Sequence, residues 1–279
     1  MAMPLAIYTN QAAVVSRKNI NLTNRLLNKS VQRLSSGLRL NSSADDAAGM
    51  AVAVGLRAQL GGYNQAERNA NDAVAILQIA EGAYVNLSDI LIRLRELAVQ
   101  ASSDSVTDKE RAYIDTEFQD LKAEIDRVAA VTEFNGQKLL NGTAGDNGLM
   151  VFQVGTRNSI NDRIQITLPN ESAAALGVGA SDVLNLVNSQ TAIDNIDTAL
   201  DNLSTDRASI GAAVNKLTSS AVNLGVTIEN VNDSLSGIRD VDMAKESTNL
   251  AKAQVLQQAG AAMLATSNQI PQLALRLLG

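Results

Sequence analysis

Cysteine, histidine and tryptophan are absent from this chain of 279 residues. Without cysteine it can form neither disulfide bonds nor thiolate metal sites. Without histidine it lacks the usual general base and the commonest metal ligand, which excludes a Ser-His-Asp triad and a histidine zinc site. The adjacent carboxylates Asp45 and Asp46 could act as an acid and a base, but neighbouring helix residues point in different directions and helix capping explains both. We therefore expect no enzyme activity, no cofactor and no metal.

Aromatic residues and prolines are also scarce. Aromatics make up 3% of the chain, so a globular core would lack large anchoring side chains. The three prolines, at positions 4, 169 and 271, leave long helices uninterrupted, although Pro271 predicts a kink or an end of a helix near Gln269. No apolar run approaches the ~18–20 residues that cross a membrane, so we expect no membrane insertion.

Acidic residues are missing from the N-terminal segment 1–43, which carries six basic side chains. Its charge of +6 leaves −12 on the remainder, because the whole chain has a net charge of −6. Such a segment also fits an organellar transit peptide, a membrane-surface arm or a nucleic-acid arm. The regular periodicity of the segment argues against a transit peptide. Its single aromatic residue, Tyr8, argues against a membrane-surface or nucleic-acid arm. We expect no nucleic-acid partner, and no Sec-type signal because the basic residues follow the weak apolar stretch 12–15.

Apolar residues instead recur every three and four positions through most of the chain, which is the pattern of a coiled-coil seam. The pattern spans Leu56–Ala98, residues 107–130 and Ile193–Leu235. A helix over Leu56–Ala98 would be roughly 60 Å long and needs partner helices to cover its stripe. We predict that residues 44–100 and 189–235 pack antiparallel, with 107–130 as a third member. Arg207 is the one charged residue in the last stripe, and we expect its head to reach solvent.

Residues 133–170 change to a period of two. Apolar residues alternate in 150–154 and again in 164–168, with a polar segment between them. The Asn-Gly pairs at 135–136 and 141–142 predict turns. The glycine-rich loop 142–148 lacks the Gly-Lys-Ser/Thr of a phosphate loop, so we interpret it as a turn. The segment predicts a small β-hairpin region that is too short for a domain of its own.

Both chain ends carry amphipathic helical stripes. The candidate subunit-assembly residues on them are Ile20, Leu27, Leu34, Leu256, Met263, Ile270 and Leu277. We expect the terminal helices to pair through these stripes and to leave further apolar surface for other copies of the chain. The predicted fold class is mainly α: a long antiparallel coiled-coil-like helical bundle with a small β-hairpin region and paired terminal helices. The predicted domains are an N-terminal assembly helix (1–43), core helices (44–130), the β-hairpin region and linker (131–180), a C-terminal core helix (181–236) and a C-terminal assembly helix (237–279).

The chain resembles bacterial flagellin in several stretches. They are Arg-Leu-Ser-Ser-Gly-Leu-Arg-Leu-Asn-Ser-Ser-Ala-Asp-Asp-Ala-Ala-Gly-Met-Ala at 33–51, Arg-Leu-Arg-Glu-Leu-Ala-Val-Gln at 93–100, Phe-Asn-Gly at 134–136 and Ala-Thr-Ser-Asn-Gln-Ile-Pro-Gln at 265–272. Variable outer domains have no room between the hairpin region and the third long helix, so the chain resembles a minimal form of that family. The resemblance implies a structural subunit that polymerises into the helical flagellar filament for swimming motility. A hook–filament junction protein shares the N-terminal pattern and is the alternative, but the C-terminal stretch favours flagellin.

The same resemblance implies partners and a location. The partners are other copies of the chain, an export chaperone, and the cap and junction proteins of the flagellum. Export through the flagellar type III apparatus would place the chain in the extracellular flagellum without a Sec signal peptide. In several flagellins the Arg-Glu-Leu-Ala-Val-Gln helix face is read by a vertebrate Toll-like innate immune receptor. The matching residues are Arg93 and Leu97 with Glu117, whose alternative role is contact with an axially neighbouring subunit, and Ile92 stands where the family usually has glutamine.

Overall fold

The computed structural model describes the backbone of residues 10–278 and the side chains of residues 10–269. Within that range the chain is mostly helical, as its periodicity predicts. The helices are α1 (Gln11–Ser36), α2 (Ala47–Ala101), α3 (Asp108–Val131), α4 (Leu186–Arg239) and α5 (Met243–Leu278), and the strands are β1 (Glu133–Phe134), β2 (Gln137–Lys138), β3 (Leu149–Gln153) and β4 (Arg163–Thr167). Of the two outcomes predicted near Gln269, an end of the helix is wrong, because α5 continues through Pro271, and a kink stays a prediction. A proline has a helical φ and removes only one backbone donor.

The chain divides into two compact units. The terminal unit contains both chain ends, up to Ala58 and from Asn230 onward, and the central unit is Gln59–Glu229. In the terminal unit α1 and α5 pair antiparallel, which confirms the predicted pairing of the terminal helices. Three hydrogen bonds join the two helices along their length: Asn10 Nδ2 to the Ser267 carbonyl (2.7 Å), Gln257 Nε2 to Asn24 Oδ1 (2.9 Å) and Ser30 Oγ to Glu246 Oε1 (2.5 Å).

In the central unit α2, α3 and α4 form a bundle. α2 and α4 run antiparallel, because Arg207 of α4 binds Glu81 of α2 while Asp197, earlier in α4, binds Arg95, later in α2. Most seam residues of α2 are buried, and Leu56, Leu60, Tyr63 and Val74 are half-buried. The buried ones are Ala70, Leu77, Tyr84, Leu87, Leu91, Leu94 and Ala98. The predicted seam is therefore confirmed. The Arg207 side chain is 38% exposed, so it does reach the surface, where its Nε and Nη2 donate to Glu81 Oε1 at 3.0 and 2.7 Å.

The β-hairpin region lies in the central unit and follows the predicted alternation. β3 and β4 pair antiparallel, from Leu149 opposite Thr167 to Gln153 opposite Arg163. Asn135 and Gly136 both have positive φ (50° and 79°) and turn β1 back onto β2, as an Asn-Gly pair favours. The apolar side chains of β4 alternate with exposed polar ones and are buried in the core of the central unit.

By length and composition, α2 is also apolar enough to cross a membrane, with an 18-residue window that reaches a mean hydropathy of 1.2. Its apolar seam is buried in the bundle of the central unit. A core helix of a bundle can be as apolar as a membrane span, so we interpret α2 as a core helix.

Candidate assembly surfaces

On α1 the candidate residues Ile20, Leu27 and Leu34 are half-buried. They lie on the same face of α1 as Ser30, whose hydroxyl donates a hydrogen bond to Glu246 of α5. Ile20 packs over Gly260, where a Cβ would lie only 2.9 Å from Ile20 Cγ1. These three side chains therefore belong to the seam between α1 and α5, as the amphipathic pattern predicts for the paired terminal helices.

On α5 the seam toward α1 is not the predicted one. The buried or half-buried residues recur every four and three positions and are mostly small or polar: Glu246, Leu250, Ala253, Gln257, Gly260, Leu264 and Ser267. The predicted stripe is turned away, with Leu256 46% and Met263 62% exposed. The expectation that the two apolar stripes pair with each other is thus wrong for α5. Close approach at Gly260 and the hydrogen bonds of Gln257 and Glu246 select the smaller, more polar face. Ile270 and Leu277 lie outside the residues whose side chains are described.

The terminal unit therefore exposes apolar side chains on both helices. We call this set the outer stripe: Val14, Val15, Leu22 and Leu26 of α1 with Val255, Leu256 and Met263 of α5. Sequence reasoning found only the last two. The others could have been found from a second row of apolar residues on a different face of each helix. On α1 this row contains Val15, Leu22 and Leu26, which are spaced seven and four residues apart.

One groove connects the two halves of the outer stripe. Leu26 of α1 and Leu256 of α5 line it, its volume is about 260 Å³, and Ser30 and Glu246 are also among its lining residues. Lys29 at its edge binds Asp45 at 2.7 Å, and this hydrogen bond lowers the pKa of the Asp45 carboxyl to about 2. The groove thus has apolar walls and basic edges, and its acidic groups are already bound.

In the central unit, Arg93 and Glu117 lie together on the surface. Arg93 Nε and Nη2 donate to Glu117 Oε1 at 3.0 and 2.8 Å, and these bonds raise the pKa of Arg93. Leu97 does not join them. Its side chain is 2% exposed and packs in the bundle core, which overturns its place on a contact surface. Ile92, beside Arg93, is the exposed apolar neighbour instead.

A buried polar cluster in the central unit escaped the sequence reasoning. Glu171, in the segment after β4, is 1% exposed, and the hydroxyl of Tyr84 donates to its Oε1 at 2.9 Å. Burial, together with the nearby Asp206 carboxyl, raises the pKa of Glu171 to about 7. No sequence motif marks this cluster, because its members lie 35 to 122 positions apart. Among the residues that the structure describes, no group of three or more acidic side chains could hold a metal ion.

Comparison with known proteins agrees with this architecture. Residues 7–145 match the bacterial flagellin N-terminal helical region and residues 193–278 the bacterial flagellin C-terminal helical region. A flagellin of Halalkalibacterium halodurans is 40% identical over 98% of this chain and 100% of its own length. The crystal structure of Bacillus cereus flagellin is similar over 56% of this chain and 88% of its own length, with a TM-score of 0.50 and 28% identity.

A flagellar hook-associated protein structure from Vibrio parahaemolyticus is similar over 70% of this chain and 100% of its own length, with a TM-score of 0.57. At 17% identity it shows a shared fold alone and gives the junction-protein alternative no advantage over a filament subunit. The two matched regions and the full-length relative decide the family. This chain belongs to the bacterial flagellins, in a minimal form, and is a structural subunit that polymerises into the flagellar filament.

Proposed function

We propose that neighbouring subunits in the filament pack against the outer stripe of α1 and α5. The observation that supports this is the exposure of seven large apolar side chains on one pair of helices. Covering one Leu-sized side chain stabilises a contact by about 1.5–3 kcal/mol. Several such side chains per subunit are enough to drive association, and a contact between two different faces of the subunit, repeated by an open rotation, builds a helical tube.

In this proposal the candidate residues divide into two roles. Leu256 and Met263 contact the neighbouring subunit, and Ile270 and Leu277 extend the same four-and-three spacing toward the C-terminus. Ile20, Leu27 and Leu34 act indirectly, because they hold α5 against α1. The assembly domain then comprises 1–43 and 237–279, and residues 44–130, 131–180 and 181–236 form the core domain of the filament wall.

We also propose the location and partners that membership of this family favours. The chain is exported through the flagellar type III apparatus, without a Sec signal peptide, to the extracellular flagellum. It meets an export chaperone before assembly and the cap and junction proteins at the filament ends. The regions that support this proposal are the two flagellin regions, since they include both terminal helices.

A second contact surface is proposed around Arg93 and Glu117. Both side chains are about half exposed and bound to each other, and Ile92 adds apolar area beside them. An apolar side chain next to a fixed ion pair suits an axially neighbouring subunit, and a Toll-like innate immune receptor is the other candidate for the same surface. The two are separated by assaying Ile92→Asp for polymerisation and for receptor activation.

Charge placed on the outer stripe tests the main proposal. We expect L256D/M263D to raise the critical concentration for filament growth at least about a hundredfold, since an Asp loses the apolar burial at each site. The measurement is sedimentation of polymer with electron microscopy of the pellet. Q258D/A265D is the matched control, because it adds the same two negative charges, seven residues apart, at exposed positions of α5 outside the outer stripe.

Circular dichroism of the full chain shows whether each variant keeps its helices. Normal polymerisation of L256D/M263D would rule out the outer stripe as an assembly surface. Equal loss of polymerisation in Q258D/A265D would show that any added charge on α5 blocks growth, which would also overturn the assignment.

A further inference from the structure

The near ends of α1 and α5 are joined by backbone hydrogen bonds, from Val241 to Gly37 and from Arg39 to Arg239. We propose that beyond this anchor the seam between α1 and α5 holds a single register of the two helices through three side-chain contacts: Ser30 with Glu246, Asn24 with Gln257, and Ile20 with Gly260. The register decides which composite surface the terminal unit offers to other subunits. This consequence for assembly rests on the proposed function, whereas the register itself does not.

A seam of small and polar residues needs such contacts. Two paired helices with a repeating three-and-four spacing can slide past each other by seven residues, and the seam residues of one helix still face the seam residues of the other. The buried apolar area on the α5 side is small, so burial alone discriminates weakly between alignments. Buried polar pairs are the best-attested device for fixing register in paired helices.

A shift of seven residues breaks each of the three contacts. Asn24 would face Leu250 or Leu264 instead of Gln257. Ile20 would face Ala253 or Ser267, whose Cβ atoms occupy the space that Gly260 leaves open. In one direction Ser30 would face Ala253, and in the other its partner position lies before the start of α5.

Glu246 makes the shifted alignments costly. Its side chain is almost fully buried, and the Ser30 hydroxyl donates to Oε1 at 2.5 Å. The guanidinium of Arg33 lies 3.7 Å from the other carboxylate oxygen. A shift removes the hydroxyl donor and the Arg33 guanidinium from this buried carboxylate and leaves it only the amide of Asn249, at 3.4 Å on α5 itself. A buried carboxylate that loses most of its partners is destabilising.

The register matters because the outer stripe is composite. Leu26 of α1 and Leu256 of α5 line the same groove only in the observed alignment. Sliding α5 by seven residues would move one half of the stripe about 10 Å along the other. A neighbouring subunit that fits the aligned stripe would then meet two separated halves.

Stability and register can be separated by substituting both members of the central pair. Ser30→Ala alone leaves the Glu246 carboxylate without its donor and destabilises the pair. The double variant S30A/E246M replaces both polar groups with apolar ones of similar size, which is often neutral for stability. Arg33 loses a carboxylate neighbour in this variant, but its side chain is 22% exposed and can be hydrated. The double variant removes the part of the penalty for a shifted alignment that comes from the buried carboxylate, so it should relax register while keeping the helices.

The absence of cysteine allows a direct measurement of register. I20C/G260C reports the observed alignment, because a Cβ at position 260 would lie 2.9 Å from Ile20 Cγ1, which brings the two cysteine Cβ atoms within reach of a disulfide. I20C/A253C and I20C/S267C report the two shifted alignments. Each pair loses the Ile20 side chain equally. The cysteine chains are mixed at one in ten with the parent chain, grown into filaments and oxidised, so disulfides form within single chains.

In the background with Ser30 and Glu246 intact we expect the I20C/G260C disulfide to exceed either shifted one by about tenfold or more. In the S30A/E246M background we expect this ratio to fall below about threefold, with the shifted disulfides enriched in the supernatant over the pellet. Ser30→Thr keeps a hydroxyl and should keep the tenfold ratio.

The proposal would be overturned if the ratio of the I20C/G260C disulfide to the shifted disulfides were unchanged in S30A/E246M. It would also be overturned if this ratio fell in Ser30→Thr as far as in the double variant. The supernatant gives the ratio even if S30A/E246M does not enter filaments. Failure of the outer stripe in the L256D/M263D assay leaves these disulfide ratios untouched, so the two proposals fail separately.

Discussion

Replacing Glu171 by glutamine should remove most of the pH dependence of unfolding of the central unit between pH 5 and pH 8. The Glu171 carboxyl is buried and accepts a hydrogen bond from Tyr84, while the carboxyl of Asp206 lies close by. Glu81 also faces Tyr84, but Arg207 already binds it. Burial therefore dominates, and it raises the pKa of Glu171 from 4.5 to about 7.

The sign of the effect follows from the raised pKa. The folded chain holds the Glu171 proton up to about pH 7, whereas the unfolded chain releases it near pH 4.5. The stabilisation from this proton is complete below pH 4.5 and is lost as the pH rises through about 7. A shift of this size corresponds to about 3 kcal/mol, or roughly 5–10 °C in melting temperature for a unit of this length. The pKa of Asp206 is also raised by burial, so it acts in the same direction.

The assay is thermal unfolding of the full chain at several pH values, followed by circular dichroism. Because the chain has no histidine, few other side chains titrate in this window. Glu171→Gln keeps an oxygen that can accept from Tyr84 and carries no charge, so we expect it to match the parent near pH 5 and to exceed its melting temperature near pH 8.

Glu124→Gln is the matched control, because Glu124 is bound to Arg127, which lowers its pKa, and it should keep the parental slope. A Glu171→Gln variant with the same pH slope as the parent would refute the argument from burial.

Two further predictions concern the positive φ of Gly145 and the loss of stability at low pH through Asp45. Gly145→Ala should cost about 2 kcal/mol or more of unfolding free energy in urea, because φ is +61° and a Cβ would lie 2.2 Å from the Leu149 carbonyl oxygen. Gly136→Ala is its control: φ is +79° but the space is open, so only about 1 kcal/mol of backbone strain is expected, and equal losses would contradict the steric argument. Asp45→Asn should lower the melting temperature at pH 5 but not near pH 2, because the lowered pKa of Asp45 makes its pairing with Lys29 a stabilisation that is lost as the pH falls through about 2. A melting-temperature difference that persists at pH 2 would exclude this pairing as the cause.

The face that α5 turns toward α1 has a consequence for how the filament forms. A terminal helix pair that buried both apolar stripes would be more stable alone and would offer less to its neighbours. The observed seam uses Gly260 and hydrogen-bonded side chains, which leaves Leu256 and Met263 exposed. In the proposed mechanism, the stabilisation from burying these residues is gained only when subunits meet.

Much of the fold could be predicted from the sequence, because its determinants are local. The seam of α2 follows from spacing, since residues three and four apart share one face of a helix. Thr107 and Glu110 form the capping box that begins α3, as that residue pair favours. The turn at Asn135 and Gly136 required positive φ at both positions, which an Asn-Gly pair adopts readily.

Where a helix has more than one apolar face, only the tertiary structure decided which of these faces is buried. Leu97 lies one helical turn from the exposed Arg93 and is nevertheless buried, because α2 is packed by partner helices on more than one side. Leu256 and Met263 have the spacing of a seam but remain exposed, since Gly260 lets α1 approach a different face. Tyr84 and Glu171 meet although 87 positions separate them. Periodicity shows that a face is apolar; what covers that face depends on contacts between distant segments, which local spacing does not contain.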